Sequence, residues 1–177
     1  MMALGTEAPD FTLPDPRTGK TFSFDDLRGP KGTLVMFICN HCPFVVHVNP
    51  ELIALANKYQ DEGVHVVAIS SNDVEKYPAD GPEEMAELSR QLDFPFPYLY
   101  DESQDVARAY DAACTPDFFL FDENNQLYYR GRLDGSRPGN GIKLTGEDMR
   151  RAIDGLLARM PAPIKQYPSA GCSIKWK

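Results

Sequence analysis

An α/β fold, built as one domain, is predicted by three features of this 177-residue sequence. The first is a short apolar run, Thr33-Leu34-Val35-Met36-Phe37-Ile38. The second is helical periodicity from Pro43 to Gln60, and the third is another apolar run, Val64-His65-Val66-Val67-Ala68-Ile69-Ser70. Together they read as strand, helix and strand, a βαβ unit whose crossover is right-handed in nearly every case.

The first run is entered through Gly29-Pro30-Lys31-Gly32 and shows no polar alternation, as a strand buried on both faces would. In the helix, Val45, Val48, Leu52, Leu55, Ala56 and Tyr59 recur at helical spacing, Gly63 follows its end, and Pro50 is expected to kink it. Asn72 to Pro82 is polar and holds Pro78 and Gly81, so a surface loop is expected, with the acidic residues from Asp73 to Glu87 as a solvated face. Glu83 to Leu92 reads as a short helix, Phe94-Pro95-Phe96-Pro97 as a rigid extended connection, and Ser103 to Tyr110 as a further helix. Asp117 to Phe121 and Gln126 to Arg130 are two strands joined by Asp122-Glu123-Asn124-Asn125 in a hairpin. After a glycine-containing loop, Gly135 to Gly141, an amphipathic helix spans Thr145 to Arg159 and starts at Thr145-Gly146-Glu147-Asp148. Residues 160–177 form a Pro-containing tail in which Ile174 and Trp176 offer apolar anchors, so a docked tail is expected.

Composition narrows the function. The chain is 42% hydrophobic and 25% charged, and a chain of this length buries roughly 70% of its unfolded surface, so residues 1–177 are expected to share one core. A net charge of −8 without a Lys/Arg cluster disfavours nucleic acid and acidic membrane surfaces as partners. Met1-Met2-Ala3-Leu4-Gly5 lacks the basic-then-apolar pattern of an export signal, and no apolar stretch nears the roughly 20 residues that span a bilayer. A cytoplasmic location is expected. In that reducing compartment a close cysteine pair points to catalysis or metal binding before a permanent disulfide.

Two of the four cysteines stand in Phe37-Ile38-Cys39-Asn40-His41-Cys42-Pro43, where the first buried strand ends and the long helix begins. Neither a second CxxC nor an HxxxH accompanies them, which weighs against zinc or copper; no metal and no organic cofactor is expected. His47 and His65 read as packed or surface residues. Cys114, two residues before Pro116, and Cys172, near the chain end, are candidate auxiliary thiols; the competing reading makes each a small hydrophobe.

The order of elements, the CxxC beside the first long helix and Thr115-Pro116 opening the hairpin resemble the thioredoxin fold. "GTEAPDFTLPD", "TGKTFSFDDLRG" and "TPDFFLFDENNQLYYRGRLDG" are similar to the peroxiredoxin-like (AhpC/TSA) and TlpA-like redoxin branch, and a subgroup of it shares "CNHCPFV" and "GCSIKWK". The resemblance covers nearly the whole chain. It implies a thioredoxin-like fold with a central mixed β-sheet flanked by helices and an N-terminal peroxiredoxin-like extension. The implied activity is that of a thiol:disulfide oxidoreductase exchanging disulfides with protein or small-molecule partners through Cys39 and Cys42. The alternatives are a thiol peroxidase reducing hydroperoxides, or a metallochaperone or redox-sensing module without turnover.

In that scheme Cys39 is the exposed nucleophile, its pKa lowered from about 8.5 by the helix N-terminus. Cys42, better shielded, resolves the mixed disulfide. His41 stands where the more oxidising relatives carry a thiolate-stabilising histidine. The resemblance also implies that Pro116 is cis and that the backbone at Thr115-Pro116 binds substrate as an added strand. Ile38 and Thr33 replace the Trp and buried Asp of thioredoxins, so the proton relay must differ. Cys39, Val35 and Pro116 stand where peroxiredoxins place their peroxide-binding Thr, an upstream Pro and an Arg, so the peroxide pocket is mostly missing.

Overall fold

The computed structural model describes residues 1–177. The chain opens with a small antiparallel hairpin, β1 (Thr12–Pro14) and β2 (Thr21–Ser23), followed by one helical turn, α1 (Phe24–Leu27). A capping box starts that turn: Ser23 Oγ accepts the Asp26 N–H, and the Asp26 carboxylate accepts the Ser23 N–H. Then come β3 (Gly32–Phe37), α2 (Pro43–Gln60), β4 (Val64–Ser70), a 3-10 turn (Pro78–Asp80) and α3 (Pro82–Gln91). The second half holds β5 (Tyr98–Tyr100), α4 (Asp105–Ala109), β6 (Cys114–Thr115), β7 (Asp117–Asp122), β8 (Leu127–Gly131), α5 (Glu147–Leu157) and β9 (Cys172–Ser173).

Five strands form the central mixed sheet in the order β5-β4-β3-β7-β8. β3 runs parallel to β4 and antiparallel to β7, and all six of its residues are buried. Its side chains alternate between two cores. Leu34 and Met36 pack with Leu52 and Leu55 of α2 and Met149 and Ile153 of α5, whereas Val35 and Phe37 pack with Phe24, Phe119 and Phe121. Being covered on both faces is why this strand reads as an unbroken apolar run. Each fully buried side chain of this size contributes about 1.5–3 kcal/mol. No helix is long and apolar enough to cross a membrane.

Two expectations are corrected, and one strand is added. The segment from Asn72 to Pro82 is no plain surface loop, and its acidic residues are not all solvated: Asn72, Asp73 and Asp80 are buried, with Asn72 Oδ1 accepting the Lys175 N–H, the Asp73 N–H donating to the Lys175 carbonyl, and the Asp80 carboxylate accepting from the Asn40 N–H and Asn72 Nδ2. The connection after Pro97 leads directly into β5, which pairs in parallel with β4 at Ala68–Ser70. Three residues are too few to show a period, and the same brevity hides β1 and β2 in the sequence. The last helix begins at Glu147, since the Thr145 and Gly146 N–H groups go to the buried Asp134 carboxylate, with Gly146 in the left-handed region. α2 runs through Pro50 to Gln60.

Candidate active site

The cysteine pair lies where the central strand runs out. The Ile38 N–H still bonds to the Ile69 carbonyl, and the next four residues leave the sheet in a loop that hands over to α2 at Pro43. Cys42 is the residue capping α2, and its carbonyl accepts the Val45 and Val46 N–H groups. The CxxC therefore precedes the helix instead of forming its first turn. The expected exposure of Cys39 is also corrected: Cys39 is 2% and Cys42 4% accessible, so neither is the open thiol. The loop folds against two other segments that cover both sulfurs.

One of these is the turn before β7. The Thr115–Pro116 peptide is cis. Thr115 touches both cysteines: its Oγ1 is 3.6 Å from Cys39 Sγ, and its carbonyl accepts from Cys42 Sγ at 3.6 Å. The other covering segment is the tail. β9 pairs antiparallel with β6, setting Thr115 opposite Cys172 and Cys114 opposite Ser173. Gly171 makes that approach possible, because a Cβ there would overlap the Thr115 carbonyl. The tail is then held along its length. The Ile174 N–H bonds to the Ala113 carbonyl and its side chain is buried; the Lys175 carbonyl accepts from the Asp73 N–H and Gln104 Nε2, both at 2.8 Å. Trp176 stays half-exposed beneath the Arg108 guanidinium.

Sequence reasoning missed the residue that organises the loop. Asp80 is fully buried and gathers three donors: the Asn40 N–H (2.9 Å), Asn72 Nδ2 (2.9 Å) and the His41 ring at Nδ1 (2.8 Å). Asn40 is clamped further by the Ala79 carbonyl and the Tyr98 hydroxyl. The Asn-His dipeptide between the cysteines is thus tied to the turn at Pro78–Asp80, and His41 faces a carboxylate. No periodicity marks Asp80; a carboxylate in a rigid Pro-bounded turn is the sole trace it leaves in the sequence. Of the other histidines, His47 bonds Ser136 Oγ through Nε2 at 2.7 Å, and His65 lies half-buried on β4 opposite Thr33.

The surroundings of the two thiols act on their acidity in opposite directions. Cys42 is held well below the usual thiol range, chiefly by the Cys39 thiol donating to it, and also by the Cys172 thiol, the Val45 N–H and Thr115. Cys39 is pushed far up by the same shared proton, by burial and by the Asp80 charge. Helix and carboxylate act in one sense, since the positive end of α2 is at Cys42 and the negative Asp80 is beside Cys39. Within the pair Cys42 is therefore the more acidic thiol and Cys39 the less acidic one. Cys172 is raised by burial and by its bond to Cys42. Burial, then the Asp117 charge, pushes Cys114 up to about 12. All four cysteines are free thiols.

Such a site can form and open disulfides, and known proteins point the same way. The sequence model described as "AhpC/TSA family" matches residues 4–130. A thiol-disulfide oxidoreductase, ResA, from Geobacillus thermodenitrificans is 30% identical over 71% of this chain and 67% of its own length. Among solved structures, a conserved protein from Geobacillus kaustophilus is 56% identical, with a TM-score of 0.98, covering 100% of this chain and 94% of its own. A hypothetical protein from Sinorhizobium meliloti is 45% identical, with a TM-score of 0.97, covering 100% of this chain and 96% of its own.

Proposed function

The chain belongs to the AhpC/TSA family, and from that premise we propose that it is a thiol:disulfide oxidoreductase acting on protein substrates through Cys39 and Cys42. One observation carries the reading: two free thiols converge on one residue, Thr115, next to a cis proline. Thiol–disulfide exchange needs an attacking thiolate and a second thiol within reach of it. Here the Cys42 thiolate opens a substrate disulfide, one substrate sulfur leaving as thiolate while the other joins Cys42. Cys39 then gives up its proton and attacks Cys42 Sγ, the Cys39–Cys42 bond forms, and the second substrate sulfur leaves. Substrate is reduced by two electrons and the pair is oxidised; the reverse sequence oxidises a dithiol. The Thr115 hydroxyl is placed to donate to a thiolate at Cys39 Sγ, and an extended segment would be held by the backbone at Thr115–Pro116.

The test is to reduce the protein and offer it an oxidised model protein and hydrogen peroxide separately. Rapid exchange with the protein disulfide and slow consumption of peroxide are expected. Faster reaction with peroxide would overturn the reading and make the protein a peroxidase.

A further inference from the structure

The edge proposed to bind substrate is already occupied, and by this chain. β9 lies antiparallel on β6, the strand that ends at the cis Thr115–Pro116 peptide. Residues directly opposite in an antiparallel pair project to the same side of the ladder. Thr115 reaches the cysteine pair from that side, and its partner in the register is Cys172. Cys114, one residue along, belongs to the other side and contacts the Pro116 carbonyl. A substrate strand on this edge would have to put its cysteine where Cys172 now stands.

We infer that Cys172 is a third redox thiol of the site: the tail strand sits on β6 as an internal substrate and forms a disulfide with Cys42. This rests on the thiol-exchange reading of the Cys39–Cys42 pair and extends it to a named partner. Once a substrate has oxidised the pair, Cys172 loses its proton and attacks Cys42 Sγ. The Cys42–Cys172 bond forms, the Cys39–Cys42 bond breaks, and Cys39 departs as a thiolate that takes up a proton. No electrons are gained or lost in this step. The fold supports the contact from both ends. Gly171 permits the close approach to Thr115, and Asn72 ties the tail to the CxxC clamp, its Oδ1 accepting the Lys175 N–H while its Nδ2 donates to Asp80. Cys172 packs, partly buried, against the apolar cluster that contains Cys39 and Cys42.

The experiment oxidises full-length wild type and the Cys39→Ser variant with oxidised glutathione, blocks free thiols by alkylation, digests without reduction and maps disulfides by mass spectrometry. In Cys39→Ser, glutathione first caps Cys42 and Cys172 then displaces it, so of the three remaining cysteines only Cys114 should stay alkylatable. In wild type the Cys42–Cys172 peptide should appear beside Cys39–Cys42, in monomers. Cys172 alkylated at every oxidant dose in both proteins, or linked to Cys42 solely in covalent dimers, would overturn the inference. Wild-type map and variant map report independently, so a misfolded variant does not shield the idea. Exchange of the wild type with an oxidised model protein is scored separately: exchange present with Cys172 free removes the third thiol and leaves the function. Exchange absent with the Cys42–Cys172 bond formed removes the function and leaves the third thiol.

Discussion

Cys114 and Cys172 stand on the two strands of one short ladder, diagonally across from each other, yet they live in different chemistry. Cys172 lies opposite Thr115 and packs against the cluster that holds the cysteine pair; Cys114 faces the other way, against the Pro116 carbonyl and beside Asp117. Distance from the pair along the sequence has no bearing on this, for the remote cysteine is the one that meets it. A shift of the tail by one residue would exchange the roles, because side chains on a strand alternate with a period of two. Gly171 and the anchors at Ile174 and Lys175 set that register.

The comparison is broken most severely by removing sulfurs. Cys39→Ser combined with Cys172→Ser deletes both thiols that could resolve a bond at Cys42, so mixed disulfides with protein substrates should accumulate while turnover falls to background. Cys42→Ser should lose turnover without such trapping. Trapping by Cys42→Ser instead would move the attack to Cys39, and electrophoresis without reductant separates the two outcomes.

Acidity comes next in size. Cys42, lowered to about 4, should react with iodoacetamide at a rate that stays level from neutrality down to roughly pH 5. An ordinary thiol would slow about tenfold per pH unit over that range. A thiol with a depressed native pKa contributes stability that is complete above the unfolded value and lost as pH falls through the native one. The reduced fold should therefore gain stability from this group between about pH 4 and the ordinary thiol pKa. A rate that falls steadily from pH 8 would contradict the thiolate at Cys42.

Gly171→Val acts on the register alone. Its side chain would overlap the Thr115 carbonyl, so we expect destabilisation of about 1–3 kcal/mol, typical of overpacking. Cys172 should become faster to alkylate while Cys114 is unchanged. Thermal denaturation and peptide-level alkylation report the two effects, and equal acceleration at both cysteines would mean general loosening of the fold.

A smaller shift is expected from Asp80→Asn. Its amide oxygen can still accept from its neighbours, but the negative charge that opposes a Cys39 thiolate is gone. Stabilising the dithiolate-prone reduced form should raise the redox potential by roughly 30 mV, equivalent to about 1.4 kcal/mol. An unchanged potential would remove Asp80 from the electrostatics of the pair. The smallest effect belongs to Cys114→Ser: stability within about 0.5 kcal/mol and exchange rate unchanged, measured by denaturant titration and the same exchange assay.

Much of the fold was legible because its signals are local and long enough to count. β3, α2 and β4 carry runs of six residues or more, and the hairpin of β7 and β8 is separated by a polar turn. β5 and the first hairpin were not legible, since three-residue strands leave no period and are defined by their partners. At the site, Cys39, Cys42 and Thr115-Pro116 could be named from spacing and resemblance. Asp80 could not, because a buried acceptor of three hydrogen bonds looks in sequence like any acidic residue of a polar loop.

The available atoms can be read off the chain: two thiols three residues apart at the end of an apolar strand, a proline after Thr115, and two further cysteines far along the chain. Those depend on chain order, which sequence states directly. Which sulfur is the more acidic, and which distant cysteine faces it, are settled by the fold. Both depend on contacts between segments 41 to 130 residues apart, namely Asp80 beside Cys39 and Cys172 across from Thr115 beside Cys42. Electrostatic energy falls with distance in space whatever the separation in sequence, so a carboxylate tucked under a loop and a strand laid on an edge settle what the motif leaves open.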